Sequence, residues 1–321
     1  MARPRLLVLA SLALAAVALG WPASSQATWP GKNGPILFHD KGDIWSIRPD
    51  GSKLHDVSRA PGSDESSPTV SPDGRRLALT VEPDGGTSEI YTSDLQGNHA
   101  VWVTKALSKS SKFLSFENPA WTGDGKRLVF LCNSFSKHEL CSTLASGKGF
   151  RYVTHCECVN TGASGAPDVS RTNRLVWAYG TELFTVALAG GTPRQIATLR
   201  GTDDVNFQYP SWSPNGKQIA VQINDANTAI EIMDANGGNR RRILQSPDYS
   251  VDRTDYADPA WAPGGKRLAI HVAGLGPSQG GKPEGIYTVD LNGGSLTPVR
   301  IPQVGLEFDQ YLELDWARTP K

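Results

Sequence analysis

One eight-residue pattern recurs five times along this chain and limits its folds more than any other feature. It reads Ser67-Pro-Thr-Val-Ser-Pro-Asp-Gly74, Asn118-Pro-Ala-Trp-Thr-Gly-Asp-Gly125, Ala166-Pro-Asp-Val-Ser-Arg-Thr-Asn173, Tyr209-Pro-Ser-Trp-Ser-Pro-Asn-Gly216 and Asp258-Pro-Ala-Trp-Ala-Pro-Gly-Gly265. The first prolines stand at 68, 119, 167, 210 and 259, so the repeat steps by 51, 48, 43 and 49 residues. An apolar triplet follows each copy: Leu77-Ala-Leu79, Leu128-Val-Phe130, Leu175-Val-Trp177, Ile219-Ala-Val221 and Leu268-Ala-Ile270. Self-similarity at this period marks an architecture whose units bury their apolar faces only by stacking on one another.

Each unit reads as four short strands. The first runs through Pro-x-Trp into a Pro-Asp-Gly turn, where proline presets φ and glycine or asparagine accepts a positive φ. The apolar triplet is the second. Segments such as Glu89-Ile-Tyr-Thr92 and Gly285-Ile-Tyr-Thr288 form the third, and a Gly-rich turn such as Asp234-Ala-Asn-Gly-Gly238 leads to the fourth, as at Arg242-Ile-Leu244. With 33 Gly and 22 Pro in 321 residues the chain suits many turns, and no stretch after the N-terminus holds a 3.6-residue apolar period. Four strands per 40–50-residue unit describe a β-propeller blade.

The two ends fix the number of blades. Ile36–Phe38, Ile44–Ile47 and Leu54–Val57 supply strands two to four with no first strand before them. Leu312–Trp316 is a first strand with nothing after it, and Trp316 lies 55 residues beyond Trp261. Joined, they make a sixth blade and remove the open edges that invite aggregation. The expected organisation is a signal segment at 1–27, a short segment at 28–33 and an all-β, six-bladed propeller at 34–317.

The Pro-x-Trp-Ser-Pro-Asp/Asn-Gly-Lys pattern, clearest at Tyr209–Lys217 and Asp258–Lys266, resembles the TolB-type, WD40-like (PD40) repeat. The resemblance spans nearly the whole chain after the signal segment and implies a six-bladed propeller. TolB carries an α/β domain before its propeller, and none is expected here. The copy around Val169 departs most, with Arg171-Thr172-Asn173 in place of Pro-Asp-Gly. A propeller is a platform, so the resemblance implies little about activity.

At the N-terminus, Arg3 and Arg5 precede an apolar run of 14 residues, Leu6 to Leu19. That is shorter than the about 20 residues a membrane span needs. With Ser25 and Ala27 behind it, the run reads as a secretory signal cleaved after Ala27, rather than an uncleaved anchor. The expected location is therefore secreted, periplasmic or cell-envelope, with no membrane span left after cleavage. Lys plus Arg and Asp plus Glu both number 32, which gives no reason to expect a nucleic-acid partner.

No nucleophile elbow, zinc-protease helix motif, P-loop or dinucleotide fingerprint occurs, so no catalytic residue, metal or cofactor is expected. His39 and His271 hold equivalent second-strand positions in neighbouring blades, where packing explains them better than a metal does. All four cysteines belong to one blade. Cys132 and Cys141 face each other across a hairpin and are expected to form a disulfide; the pairing of Cys156 and Cys158 stays open.

One face of the ring carries the connections from each fourth strand to the next first strand. Three are both acidic and aromatic, and they supply the expected binding rim: Asp204, Phe207, Tyr209, Asp255, Tyr256, Phe308, Asp309 and Tyr311. Phe116-Glu117 is a weaker fourth. Aromatics offer stacking area and carboxylates offer acceptors, which suits a protein or peptide partner, or a glycan. The leading expectation is a non-catalytic, monomeric interaction module. Its alternatives are a carbohydrate-active propeller enzyme related to oligogalacturonate lyases and an extracytoplasmic ligand-binding sensor.

Overall fold

A computed structural model of the chain describes residues 30–58, 62–84, 86–110, 112–134, 137–154, 166–200, 205–225, 227–247, 254–274, 282–302, 306 and 312–320. These form six four-stranded antiparallel sheets and no helix. Blade 1 pairs Asp315–Arg318 with Asn33–Asp40, Asp43–Ile47 and His55–Asp56. Blade 2 is Ser63–Val70, Arg76–Pro83, Glu89–Asp94 and Val101–Trp102; blade 3 is Ser115–Trp121, Arg127–Asn133, His138–Leu144 and Arg151–Thr154. Blade 4 is Asp168–Val169, Arg174–Tyr179, Glu182–Ala187 and Arg194–Thr198; blade 5 is Asn206–Trp212, Gln218–Asn224, Ala229–Asp234 and Arg241–Gln245. Blade 6 is Thr254–Trp261, Arg267–Gly274, Gly285–Asp290 and Thr297–Pro298. The chain is a six-bladed β-propeller.

Period-two alternation builds the core between blades rather than within them. In blade 3, Leu128, Phe130 and Cys132 face blade 2, while Val129 and Leu131 face blade 4. Each pair of consecutive blades encloses one apolar core, and the one between blades 6 and 1 holds Ile36, Phe38 and Trp316 with Ala260 and Ile286. The repeat's tryptophans are the largest pieces of these cores. Trp121 and Trp261 also donate their indole N–H to the innermost strand of the preceding blade, at the Thr69 and Ser211 carbonyls (3.2 and 3.0 Å).

The turns explain the rest of the repeat. Gly74 closes its turn on the Ser71 carbonyl at φ 73°. In the divergent blade 4, Asn173 makes the same bond to Ser170 at φ 56°, so an asparagine does the work of glycine there. The second turn packs its glycine on the fourth strand of the preceding blade. A Cβ at Gly237 would collide with the Ile196 carbonyl, and one at Gly293 with the Ile243 carbonyl. Cys132 and Cys141 are bridged across the blade 3 hairpin, with Cα atoms 5.9 Å apart. Cys156 and Cys158 lie outside the described residues.

The ring closes by pairing Ile36 with Trp316 and Leu37 with Asp315, and Trp316 donates to the Gly34 carbonyl at 3.2 Å. Trp316 is 4% exposed. Trp316→Ala should therefore cost about 3–5 kcal/mol, as large-to-small core changes do. Urea melts measure this. A loss below about 1 kcal/mol, the size of an ordinary surface change, would show that the C-terminal strand is dispensable.

Candidate functional site

The repeat's first prolines build a channel along the axis of the ring. Ser67, Asn118, Tyr209, Asp258 and Glu313, each just before the proline or its Leu314 equivalent, have φ between 46° and 54°. Four blades show a register shift there, between Ser66 and Thr69, Glu117 and Ala120, Gln208 and Ser211, and Ala257 and Ala260. This bulge turns Pro68, Pro119, Pro210 and Pro259 toward the axis, where Pro167 and Leu314 complete the lining. Proline suits the position because it has no N–H to leave unpaired at a channel wall. The N–H of the residue before it is donated back to the preceding blade: Asn118 to Thr80 Oγ1 (3.1 Å), Asp258 to Gln222 Oε1 (3.2 Å) and Ser67 to Glu313 Oε2 (2.5 Å).

Carboxylates that precede or follow the proline position in sequence line the same channel, whose volume is about 130 Å³. Asp168 and Asp315 follow the proline position in blades 4 and 1, and each holds the next blade. Asp168 accepts from the Trp212 N–H (2.6 Å) and Asp315 from the Val70 N–H (2.6 Å). Asp258 precedes its proline and accepts from the Leu312 and Glu313 N–H groups (2.8 and 3.2 Å). Its other oxygen, Oδ1, is buried and makes no hydrogen bond. Enclosure by the channel wall pushes Asp168 up to about 6. Asp258 rises to about 7, from burial and then the charge of Glu313. Asp315 also rises to about 7, from burial and then the charge of Asp168.

The channel opens beside blades 2 and 3 into a mouth of about 300 Å³, lined by Asp64, Glu82, Glu117 and Glu313 with Ser88 and Thr80. Ser67, Asn118 and Glu313 belong to both spaces. Glu117 is aimed by Ser115 Oγ (2.7 Å) and Asn133 Nδ2 (3.0 Å), and Glu82 accepts from Ser88 Oγ (3.1 Å). No Lys or Arg lines the mouth among the described residues.

The rim expected from the sequence is only partly brought together. Phe207 and Tyr256 are corrected from rim to core: they are 0% and 5% exposed, inside the cores that blades 5 and 6 share with blades 4 and 5. The first strands begin before the bulge, at Asn206 and Thr254, so these aromatics lie within strands rather than in connections. Tyr209 is half-buried in the channel lining, and half-buried Asp255 accepts from Thr228 Oγ1 at 2.9 Å. Asp204, Phe308, Asp309 and Tyr311 lie outside the described residues. Of the weaker fourth pair, Phe116 is buried and Glu117 reaches the mouth. Asp64, Glu82, Asp168, Glu313 and Asp315 were missed, although Asp168 and Asp315 share one repeat position. His39 Nε2 accepts from the Gly42 N–H (3.1 Å), and His271 is fully buried with Glu284 at 3.8 Å. The described residues hold no group of three or more His, Cys, Asp or Glu arranged for a metal ion.

The raised carboxyls fix the sign of a pH effect. An unfolded Asp titrates near 3.9, so between about 4 and about 7 the folded chain binds more protons than the unfolded one. Stability from these groups therefore falls as pH rises through that window. The melting temperature should be higher at pH 5 than at pH 8, and Asp258→Asn should shrink the difference by stabilising the chain at pH 8. An unchanged pH profile in Asp258→Asn would show that Asp258 is ionised at no cost.

No family model matches the chain. Its fold is similar to that of TolB from Acinetobacter baumannii, with a TM-score of 0.67 and 16% identity over 89% of this chain and 67% of that one. It is also similar to a protein assigned as TolB from Agrobacterium tumefaciens (TM-score 0.62, 18% identity, 78% of this chain and 90% of that one). A chain of a nidogen–laminin complex gives a TM-score of 0.61 at 14% identity, over 88% of this chain and 98% of that one. At these identities the likeness is one of fold: the chain is a six-bladed β-propeller whose fold is similar to that of TolB proteins.

Proposed function

We propose that this protein is an exported, non-catalytic interaction propeller whose acidic mouth receives a cationic segment of a protein partner. The observation that carries the reading is the mouth itself: four carboxylates, Asp64, Glu82, Glu117 and Glu313, line it, and no described Lys or Arg does. Such a cleft attracts positive charge from a distance and speeds encounter, an effect that salt screens. Deeper in, the channel offers buried prolines, the ring of Tyr209 and further acceptors, which suit the apolar stem of a Lys or Arg side chain. Similarity to TolB proteins and to a chain of a protein–protein complex supports a partner-binding role. The Arg-flanked apolar segment supports export with cleavage after Ala27, and the Cys132–Cys141 bridge fits an oxidising compartment.

The test uses the triple variant Asp64→Asn, Glu82→Gln and Glu117→Gln, which keeps side-chain shape and removes charge. Immobilised wild-type chain should capture a partner from a cell-envelope fraction, and capture should fall at least tenfold with the variant. It should also fall in salt of about 1 M, where the screening length is only about 3 Å. The variant should melt near the wild-type temperature, since two of the three residues are exposed. Equal capture by wild type and variant at low salt would place the partner elsewhere on the ring.

A further inference from the structure

The face that blade 2 turns toward blade 1 is underfilled compared with its sister blades. In blades 3, 5 and 6 the residues opposite Cys132, Ile223 and Val272 are Phe116, Phe207 and Tyr256. The equivalent residue in blade 2, opposite Val81, is Glu65. The repeat's tryptophan, Trp121, Trp212 or Trp261 in those blades, is Val70 in blade 2. Opposite the third strand, the place of Phe130 in blade 3 is taken by Leu79, since Phe130 pairs with Cys141 as Leu79 pairs with Tyr91. Two large rings are thus exchanged for smaller or polar side chains on a single face; at the third place blades 5 and 6 carry Val221 and Ile270, so Leu79 is smaller only than Phe130 of blade 3. Among the described residues blade 1 offers only Val57 to this space, and its outermost strand is only His55–Asp56.

The result is a cavity of about 230 Å³ lined chiefly by Val57, Glu65, Leu77, Leu79, Val81 and Tyr91. Apolar cavities of about 150 Å³ are large enough to take up benzene. We propose that this cavity is a binding site for a small monocyclic aromatic molecule, which takes the place that Phe116, Phe207 and Tyr256 fill in the other blades. Leu77, Leu79 and Val81 offer one apolar wall and the Tyr91 ring an aromatic one. Ser63 and Ser93 add hydroxyls that a phenol could meet, as well as a plain benzene ring. The site lies on the opposite face of the blade 2 hairpin from the mouth residues Asp64, Thr80 and Glu82 and shares no lining residue with the proposed partner site among the described residues.

Titration of the full mature chain with p-cresol and with toluene, the side-chain analogues of Tyr and Phe, tests the proposal. Methyl NMR should show saturable shifts confined to Val57, Leu77, Leu79 and Val81. Leu79→Phe, which restores the blade 3 residue, should fill the cavity and weaken binding at least tenfold while the chain stays folded. Glu65→Phe, which restores the ring of the sister blades, serves as the second variant and should do the same. Absence of saturable shifts at those methyls in the wild type would overturn the proposal, whatever the variants do. So would binding that stays unchanged in a folded Leu79→Phe or Glu65→Phe chain.

Discussion

The structure depends on packing between blades. A single four-stranded blade has two apolar faces and cannot bury either alone; burial comes only from the neighbours on both sides. Every inter-blade core here mixes side chains from two consecutive blades, so each blade is stable only if the ring is complete. This makes the pairing of Ile36 with Trp316 the constraint on which the remainder rests. It joins residues 280 positions apart in sequence and turns an open stack with two sticky edges into a closed ring. The tryptophans serve the same end twice over, by filling volume and by tying each first strand to its predecessor through the indole N–H.

The channel follows from closure. Once six first strands surround an axis, whatever occupies the bulge position of the repeat faces a space with few hydrogen-bond partners. Proline answers that by having no donor. The channel aspartates, Asp258 buried and Asp168 and Asp315 half-buried, answer it by accepting N–H groups across blade boundaries, at the cost of raised carboxyl pKa values. Five of the ten described non-glycine residues at positive φ stand at this bulge; each is about 1–2 kcal/mol less favourable than ordinary backbone and persists because the ring over-determines it. Strain, buried charge and an unbonded Asp258 oxygen are thus gathered in the one region that also opens into the acidic mouth.

The fold was legible in the sequence because its information is periodic. Five copies of one pattern, two incomplete ends and a tryptophan at the right spacing are enough to count blades and close the ring. The divergent copy at Ser170-Arg-Thr-Asn173 posed no obstacle, since asparagine tolerates the backbone that glycine supplies elsewhere. The site was less legible for a physical reason. The bulge before each proline extends the first strand upstream, so that Phe207 and Tyr256 alternate into the core while their neighbours Gln208 and Asp255 do not. A bulge made by serine, asparagine or tyrosine at positive φ has no sequence signature of its own. The mouth carboxylates were hidden for another reason: Asp64 and Glu82 pair across one hairpin of blade 2, but Glu117 comes from blade 3 and Glu313 from blade 1, and only the closed ring brings all four to one cleft.

The central claim is that the partner meets the end of the ring where Asp64, Glu82 and Glu117 lie. Site-specific photo-crosslinking in living cells tests it most directly. One photoreactive residue replaces Ser88, which lines the mouth, and another replaces Asn236, exposed in the Asp234–Gly238 turn at the opposite end of the same kind of strand. The account predicts a discrete protein adduct from position 88 that disappears when Glu82 and Glu117 are neutralised, and none from position 236. An adduct from position 236 alone would contradict it and move the working surface to the other face of the propeller.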